Sequence, residues 1–452
     1  MSNADRKFFE FLGRLECMMQ TSKKSSPTRQ SFSDWTYALG VGGYSILDTL
    51  LQLWLQFYFV PPPDRGIRFL DPQTFGNAIL VGRFMEAVTH PIAGYGSDRL
   101  GKPWLFLLFG TVAFGGCGIA LFYSAAPGET FRNSVLLFAL LSVALIGQAS
   151  YAVPYLGLIP RVAPEALRRL KLTNNQAIII LLGVLTGQVL SGFALSALNN
   201  NLSLMVTLFM LVAAGLMLIP LPAVRNLSTQ GAGESFSPKE MLGILQRSPG
   251  FRSIVFGQFL FWLGFNMVRA VAIYYVTVLL RLPEGNLAVY LGGIFLVALP
   301  SFLVVRWLTP KVGKRQMMIL ATGLFALFLP LLSTIGNAVG PIPTNVWAFF
   351  ILAINGFPLA ILSAVPNPMI ADQIDQDQLA TGQAKGALFF GVQGLIVKIS
   401  VGLAGAFLGF LLNNFGFSQE QPLGILLVGP IAGVLSLGSA IAYRSYPKDQ
   451  TV

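Results

Sequence analysis

Charge and reactive side chains are scarce in this sequence. Only 11% of its 452 residues are charged, and it holds one histidine and two cysteines. A soluble protein of this size carries roughly 25% charged residues, so an ordinary soluble enzyme, a disordered chain and a nucleic-acid-binding domain are disfavoured. Cys17 and Cys117 provide neither a disulfide framework nor a paired metal-binding motif, and we expect both to be free thiols.

Several catalytic motifs are also absent. The sequence has no HExxH, no GxSxG and no GxxxxGK[ST] segment. These are the patterns of a zinc peptidase, a serine hydrolase and a phosphate-binding loop. An intramembrane enzyme and an ATP-driven pump are therefore disfavoured. We expect no enzymatic activity, no metal ion and no organic cofactor.

Long apolar runs dominate what is present. Hydrophobic residues make up 54% of the chain, and twelve runs are long enough for a membrane-spanning helix, which needs about 20 apolar residues. The longest polar interruption, from Arg225 to Arg252, follows the sixth run. The sequence therefore predicts an all-α polytopic membrane protein with twelve transmembrane helices. The predicted divisions are a tail at 1–33, a six-helix bundle at 34–222, a linker at 223–252, a six-helix bundle at 253–443 and a tail at 444–452.

The N-terminal tail does not have the pattern of a signal peptide, because charged residues interrupt it throughout and no continuous apolar core is present. Phe8, Phe11, Leu12, Leu15 and Met19 recur at helical spacing. A short amphipathic helix on the membrane surface and an unstructured tail both fit this pattern.

Basic residues lie mostly on one side of the predicted membrane. With both termini on that side, it receives 23 Lys and Arg residues, and the other side receives 4. Cytoplasmic loops are enriched in Lys and Arg, so we expect both termini in the cytoplasm and the protein in the plasma (inner) membrane. The net charge of +11 then requires no nucleic acid. The expected partners are the lipid bilayer and a small-molecule substrate, and we expect a monomer.

The two halves of the chain resemble each other. Gly101 and Gly313, which follow the second and eighth runs, are 212 positions apart, and so are Pro154 and Pro366 at the ends of the fourth and tenth runs. This common offset indicates a duplicated six-helix unit with the same orientation in both halves. Parallel repeats of this kind are the layout of major facilitator transporters, in which the substrate site lies between the halves.

Particular segments support this interpretation. The segment Gly94–Lys102, GYGSDRLGK, is similar to the cytoplasmic motif after helix two of the major facilitator superfamily. Four longer segments resemble the glycoside–pentoside–hexuronide cation symporters, the melibiose-permease group. They are RFMEAVTHPIAGYGSDRLGKPW (83–104), VPYLGLIP (153–160), NPMIADQIDQDQLATGQAKG (367–386) and VQGLIVK (392–398).

The resemblance implies a secondary active transporter. It would carry a sugar-like organic solute, a glycoside or a uronate, by cation-coupled symport and alternating access. A carrier of an amphipathic anion such as a lysophospholipid is the alternative, since the same branch includes a lysolipid carrier. The resemblance also implies a cytoplasmic gate with an acidic loop before helix eleven. Its residues would be Gly94, Asp98, Arg99, Gly101, Lys102, Asp372, Asp375 and Asp377.

The chain departs from this family at its binding positions. The family's sodium site has two Asp residues four positions apart on helix two, and the matching positions here are Glu86 and His90. The family's sugar-binding Asp and Trp on helix four fall on Ala152 and Leu156. Neither the standard sodium site nor the galactoside pocket is therefore expected here.

Six ionisable residues fall inside predicted spans, namely Asp48, Arg83, Glu86, His90, Arg269 and Lys398. A charge at mid-membrane costs about 2.5–3.5 kcal/mol on insertion scales, so such residues usually face a cavity and pair with one another. Arg83, Glu86 and His90 share one helix face at i, i+3 and i+7. We expect Glu86, His90, Arg83 and Asp48 to couple transport to a proton, or else to sodium. A purely structural hydrogen bond from His90 is the alternative.

Polar side chains follow stripes on the apolar helices. Amides hydrogen-bond hydroxyl groups and aromatic rings stack on sugar faces, although such residues also join helices for about 0.6 kcal/mol each. Three interior cations outnumber two carboxylates, so an anionic substrate is conceivable. Lys398 alternatively pairs with Asp48 or takes part in coupling. The predicted substrate-binding residues are Tyr44, Ser45, Asp48, Gln52, Gln148, Tyr151, Trp262, Asn266, Arg269, Gln393 and Lys398.

Overall fold

The computed structural model describes residues 27–225, 238–337, 340–381 and 386–447. These residues form helices and connecting turns, with no β-strand among them. The possible amphipathic helix of the N-terminal tail lies outside the described residues. The first described helix begins at Pro27, inside the segment that was predicted to be a tail.

Six helices build the first half of the chain. Helix starts are marked by proline in the first turn of α2 and α3 and by Asp71, whose side chain accepts a hydrogen bond from the Thr74 backbone N–H at 2.8 Å. The helices are α1 (Pro27–Phe59), α2 (Pro72–Leu100), α3 (Pro103–Ser124), α4 (Thr130–Gly157), α5 (Ala166–Leu185, continued by the π-helical turn Thr186–Leu190 and by Ser191–Ala197) and α6 (Leu202–Leu218).

Six more helices build the second half. They are α7 (Pro249–Tyr274, continued by the π-helical turn Tyr275–Leu279), α8 (Leu287–Val312), α9 (Lys314–Phe328, continued by the 3-10 turn Leu329–Thr334), α10 (Thr344–Ile354 and Gly356–Ala364), α11 (Gly386–Phe415) and α12 (Val428–Tyr443). A linker helix, Pro238–Arg247, precedes α7, and an acidic helix, Pro366–Thr381, precedes α11.

One feature of the second half differs from the sequence prediction, and another adds detail to it. Within α10 the helical hydrogen-bond pattern is interrupted at Asn355, whose side-chain amide donates to the Ile351 carbonyl at 2.6 Å, although the backbone there keeps right-handed helical angles. A side chain that bonds the preceding turn competes with the helix at that point. The segment expected to be an acidic loop is the acidic helix Pro366–Thr381.

The helices are suited to a membrane. Ten helical segments are long and apolar enough to cross a bilayer. The other two long helices, α1 and α2, carry Asp48, Arg83 and Glu86, which make them less apolar. The structure is consistent with the twelve predicted crossings and confirms an all-α membrane protein. The side of the structure where α1 begins, at Pro27, and α12 ends, at Tyr443, is here named the terminal face; the other side is the opposite face.

The duplication extends to backbone geometry. Gly101 ends α2 with φ +61° and donates its N–H to the Ser97 carbonyl at 3.1 Å, and Gly313 ends α8 with φ +92° and donates to the Thr309 carbonyl at 2.9 Å. Glycine adopts positive φ without a steric penalty. Equivalent helices in the two halves therefore both end at a glycine with positive φ, at the positions that the sequence repeat had marked, although ψ is 15° at Gly101 and 147° at Gly313.

The two halves are joined at the opposite face. Arg65, in the α1–α2 loop, forms an ion pair of 3.3 Å with Glu284 in the α7–α8 loop, and it donates to the carbonyls of Thr277 and Leu282 at 3.4 and 3.2 Å. We call these contacts the Arg65 latch.

Helices α2 and α11 also approach closely on that side. A Cβ added to Gly76 would lie only 2.4 Å from the Gly405 carbonyl oxygen, so these backbones are in direct contact. At the terminal face, no hydrogen bond or ion pair between described residues connects the halves. The structure is therefore closed at the opposite face.

Replacing Arg65 with Gln should weaken this closure. The variant loses the ion pair and the charge-assisted bonds, which together stabilise the closed arrangement by about 1–2 kcal/mol, or roughly a 5–30-fold change in the ratio of closed to open forms. The measurement is maleimide labelling of a cysteine introduced at Ala270 on α7, which lines a small cavity between the two halves. The reagent is added from the opposite face, and the native cysteines are removed beforehand. We expect labelling to become several-fold faster.

Arg68→Gln is the matched control, because Arg68 lies in the same loop and is exposed. Equal labelling rates for the two variants and the unchanged chain would show that the latch does not hold the halves together.

Candidate functional site

The six interior ionisable residues belong to one connected network in the middle of the helices. Helices α1, α2, α4, α5, α7 and α11 contribute to it, so both halves are represented. The i, i+3, i+7 spacing on α2 brings three of its members to one face, as the sequence predicted. The network contains Asp48, Arg83, Glu86, His90, Arg269 and Lys398, linked through Gln52 and Gln148.

Arg83 is the centre of this network. Its side chain is only 5% exposed. One terminal nitrogen donates to Glu86 Oε2 at 2.7 Å and to Gln148 Oε1 at 3.3 Å, and the other donates to Asp48 Oδ1 at 3.3 Å. Two carboxylates therefore compensate a guanidinium that remains protonated in proteins.

Glu86 is fully buried and is shared among three basic groups. Its Oε2 accepts from Arg83, while its Oε1 contacts the Lys398 ammonium of α11 and lies 3.7 Å from His90 Nε2. A separation of 3.7 Å is too long for a hydrogen bond but allows an ion pair when the imidazole is protonated. The predicted pairing of Lys398 with Asp48 is not formed; Lys398 pairs with Glu86.

His90 lies at the edge of the network. Its side chain is 35% exposed, and no hydrogen bond between residues that the structure describes involves it. Pro91, the next residue, lies inside α2 and cannot donate a backbone hydrogen bond. The imidazole ring is therefore partly exposed, while its Nε2 atom is buried and faces a buried carboxylate.

Asp48 is held by amides as well as by Arg83. Its Oδ2 accepts from Gln52 at 2.6 Å, and its Oδ1 accepts from Gln148 at 2.9 Å. Gln148 also donates to the Tyr44 hydroxyl at 3.0 Å. The Gln148 amide thus accepts from the cation with its oxygen and donates to the anion with its nitrogen, which fixes α4 against α1 and α2.

Arg269 has neutral partners. It donates to Gln52 Oε1 at 2.8 Å, and when the Gln188 amide oxygen faces it, Nε and Nη2 donate to that oxygen at 3.1 and 3.0 Å. No carboxylate among the described residues forms an ion pair with it. Sequence reasoning missed Gln188, which lies on the π-helical turn of α5; the one available signal was a glutamine within an apolar run.

A cavity of about 50 Å³ adjoins Arg269 and Arg83 between the two halves. Residues of α1, α2 and α4 face residues of α7 and α11 across it. Its polar lining residues are Gln52, Gln56, Arg83, Asn266 and Arg269, and its apolar lining residues are Leu51, Leu55, Phe75, Ile79, Leu141, Leu145, Ala270, Val401, Ala404 and Gly405.

Two predicted substrate residues instead contact their own bundle. The Tyr151 hydroxyl donates to the Met217 carbonyl at 3.1 Å, and its side chain is 1% exposed. The Ser45 hydroxyl donates to the Val41 carbonyl at 2.9 Å. Neither side chain lines the cavity in this structure.

The remaining predicted residues of the second half lie on α7 and α11. Asn266 lines the cavity and donates its amide to the Trp262 carbonyl at 2.7 Å. Gln393 donates to Gln258 at 3.1 Å and so joins α11 to α7. Trp262 packs its ring against Phe265.

The first-half gate residues lie at the terminal end of α2. A Cβ on Gly94 would meet Val153 of α4 at 3.3 Å, in agreement with close helix approach. Arg99 and Lys102 are exposed. The side chain of Asp98 lies outside the described part of the structure, so its predicted contact stays a prediction.

The second-half gate residues lie on the acidic helix Pro366–Thr381. Asp372 binds Lys314 at 2.5 Å, within its own half, and Asp375 is exposed while Asp377 is half-buried. The charge contacts that were predicted between the halves belong to a state closed at the terminal face and are not formed between described side chains here.

The Glu86–Lys398 contact should dominate the stability of the network. Glu86→Gln leaves a buried ammonium without its carboxylate, and breaking a buried ion pair costs about 3–5 kcal/mol. The double variant Glu86→Gln with Lys398→Met removes both charges, so it should recover part of this loss. Thermal unfolding of the purified protein measures both effects.

Glu129→Gln is the matched control. It removes the Glu129–Arg132 pair, which has the same i, i+3 spacing as the Arg83–Glu86 pair, at 3.1 Å, but is about half exposed, so it should cost only about 0–1 kcal/mol. Equal destabilisation by Glu86→Gln and Glu129→Gln would contradict the assigned role of the buried contact.

Comparisons with known proteins identify the scaffold. The isoprimeverose transporter of Lactiplantibacillus pentosus is 21% identical over 415 residues, which cover 87% of this chain and 82% of that protein. The crystal structure of the nucleoside transporter NupG superposes with a TM-score of 0.64 at 11% identity, covering 92% of this chain and 98% of that one. A POT family transporter in complex with a thioalcohol-conjugated peptide superposes with a TM-score of 0.62 at 15% identity, covering 91% and 95%.

The structural likenesses show a shared fold, which is the major facilitator fold predicted from the sequence repeat. A family model described as MFS/sugar transport protein matches residues 36–426, most of the chain. This match confirms the resemblance drawn from the sequence segments. The chain is an integral membrane transporter with a small-molecule substrate, and it belongs to the MFS/sugar transport protein family.

Proposed function

We propose that this transporter carries a sugar-like solute, a glycoside or a uronate, in symport with a cation, and that the cation is a proton. The observation that carries the proposal is the fully buried Glu86, which Arg83 holds from its own helix and Lys398 contacts from the other half. When a carboxylate in this position gains or loses a proton, its attraction to the basic group of the other bundle changes.

Protonation of Glu86 would change that interface. The neutral acid attracts the Lys398 ammonium less than the carboxylate does, so the link between α2 and α11 weakens when a proton binds. His90 is partly exposed beside this carboxylate, and its imidazole can accept and donate a proton, so it provides a route for the proton to Glu86.

Sodium fits this arrangement less well. Sodium prefers oxygen ligands, and here one Glu86 oxygen binds Arg83 while the other contacts Lys398. The position where the related symporters have a second carboxylate holds His90, whose neutral imidazole is a poor ligand for sodium. Sodium-coupled symport remains the alternative that the experiment below distinguishes.

The proposed orientation follows from charge. We propose that the terminal face is cytoplasmic and the membrane is the plasma (inner) membrane, because the topology predicted from the sequence assigns 23 Lys and Arg residues to that side and 4 to the other. The Arg65 latch then closes the extracellular side, and the structure is inward-facing. Alternating access would release the latch and close the terminal face. We propose a monomer as the working unit.

The substrate class is supported by the lining of the site. Gln52, Gln56 and Asn266 line the cavity and offer amides for hydroxyl groups, and the similar protein of Lactiplantibacillus pentosus is an isoprimeverose transporter. The second candidate is an amphipathic anion such as a lysophospholipid, which the surplus interior cation and the apolar residues of the cavity favour.

His90→Ala tests the coupling. In proteoliposomes that contain the purified carrier, a pH gradient should drive uptake of a glycoside by the unchanged protein, and the variant should lose most of this uptake. Counterflow, which needs no net proton movement, should persist because the binding site is retained. Thr89→Ala, a change at the neighbouring residue, is the control. Full pH-driven uptake by His90→Ala would rule out His90 as the coupling residue.

A ligand panel tests substrate and ion together. Thermal unfolding would be measured with neutral glycosides, uronates and lysophospholipids, at two pH values, with and without sodium. A ligand at 100 times its Kd adds about 2.7 kcal/mol of stability. We expect stabilisation by glycosides or uronates that depends on pH and not on sodium. Stabilisation that requires sodium would contradict proton coupling.

A further inference from the structure

The charges of the interior network do not balance. Arg83, Arg269 and Lys398 bring three positive charges, whereas Asp48 and Glu86 bring two negative charges. Arg83 and Lys398 take both carboxylates as direct partners. The surplus charge therefore resides on Arg269, whose partners are the amides of Gln52 and Gln188. A net charge within the membrane is costly unless a counter-charge meets it.

The Arg269 guanidinium is also placed to receive a ligand. It lines the cavity between the halves, next to the amides of Gln56 and Asn266. The edge formed by Nε and Nη2 faces the Gln188 oxygen, and this is an edge to which a carboxylate binds with two parallel hydrogen bonds. Such charge-assisted bonds are roughly twice as strong as bonds to a neutral acceptor. A carboxylate can therefore displace Gln188.

We propose that Arg269 is the specificity-determining residue of this transporter and binds a carboxylate of the transported glycoside. The proposal rests on the proposed symport and narrows its substrate to an anionic sugar derivative. Gln188 and Gln52 occupy the guanidinium in the empty carrier, and the solute's carboxylate replaces at least Gln188. The carboxylate then gives the Arg269 guanidinium a negatively charged partner.

This charge balance has a consequence for transport. One proton on the network and one carboxylate on the solute sum to zero, so the loaded carrier moves no net charge relative to the empty one. Symport of a monoanion with one proton is therefore electroneutral. The charged groups that face the proton-binding Glu86 are Arg83 and His90 on α2, Asp48 on α1 and Lys398 on α11, and Arg269 on α7 completes the network.

A matched pair of ligands tests the binding claim. Phenyl β-D-glucuronide and phenyl β-D-glucoside differ only in a carboxylate against a hydroxymethyl group. We expect the unchanged carrier to bind the glucuronide about 10-fold more tightly, by calorimetry of the purified protein. Arg269→Gln should remove this preference, so that the variant binds the two glycosides with about equal affinity. Gln188→Leu keeps the guanidinium and removes its neutral partner, so glucuronide affinity should be equal or higher.

Equal or tighter binding of the glucoside by the unchanged carrier would overturn the proposal and leave the symport intact, provided that a pH gradient still drives glucoside uptake. Binding of neither glycoside, or binding of lysophosphatidylglycerol alone, would overturn both. If Arg269→Gln does not fold, Gln188→Leu and the two ligands still test the proposal. Loss of the glucuronide preference in Gln188→Leu would show that Gln188, and not Arg269, selects the carboxylate.

A membrane potential tests the electroneutral step. A potential set by potassium and valinomycin would change the accumulation of a singly charged complex by about 50-fold per 100 mV. We expect glucuronide accumulation to change less than about 2-fold with potential and to follow the pH gradient. Accumulation that follows the potential would overturn the one-proton, one-carboxylate balance.

Discussion

The Arg83 guanidinium is the constraint on which the rest of the first bundle depends. It stays charged under all physiological conditions, and a charge inside a bilayer must be paired or solvated. Glu86 supplies one carboxylate from the same helix. The second comes from Asp48 on α1, so α1 has to present that face to α2. Gln148 then fixes α4 against both, because its amide satisfies the cation and the anion at once. One unavoidable charge therefore determines how three helices pack.

The same constraint joins the bundles. Glu86 binds Arg83 through Oε2, and its other oxygen, Oε1, forms an ion pair with Lys398 of the second half. Arg269 likewise reaches across to Gln52 of the first half. The network is therefore both the ionisable site and part of the interface, so a proton or an anionic ligand changes the forces that hold the halves together. The Arg65 latch lies at the opposite face, and its contacts involve none of the residues of this network.

The sequence predicted the helices and the members of the charged set, because run length and the i, i+3, i+7 spacing are local properties. It could not predict that Lys398 pairs with Glu86, since that depends on how α11 packs on α2. Gln188 was missed for a related reason: one glutamine in an apolar run is ordinary, and only the π-helical turn and the fold bring it to Arg269. The orientation of Tyr151 into its own bundle likewise follows from the neighbouring carbonyl of Met217, which comes from another helix.

The terminal face carries charged side chains that could form contacts between the halves when that face closes. The first half exposes the basic side chains of Arg99 and Lys102 there, and the second half exposes Asp375 on the acidic helix. Arg99 and Lys102 are opposite in charge to Asp375, and no ion pair joins these described side chains, whereas Asp372 is already neutralised by Lys314 in its own half. Exposed ion pairs contribute only about 0–1 kcal/mol each. Contacts of that size can close a face without locking it, which is what a carrier that must reopen at every cycle requires.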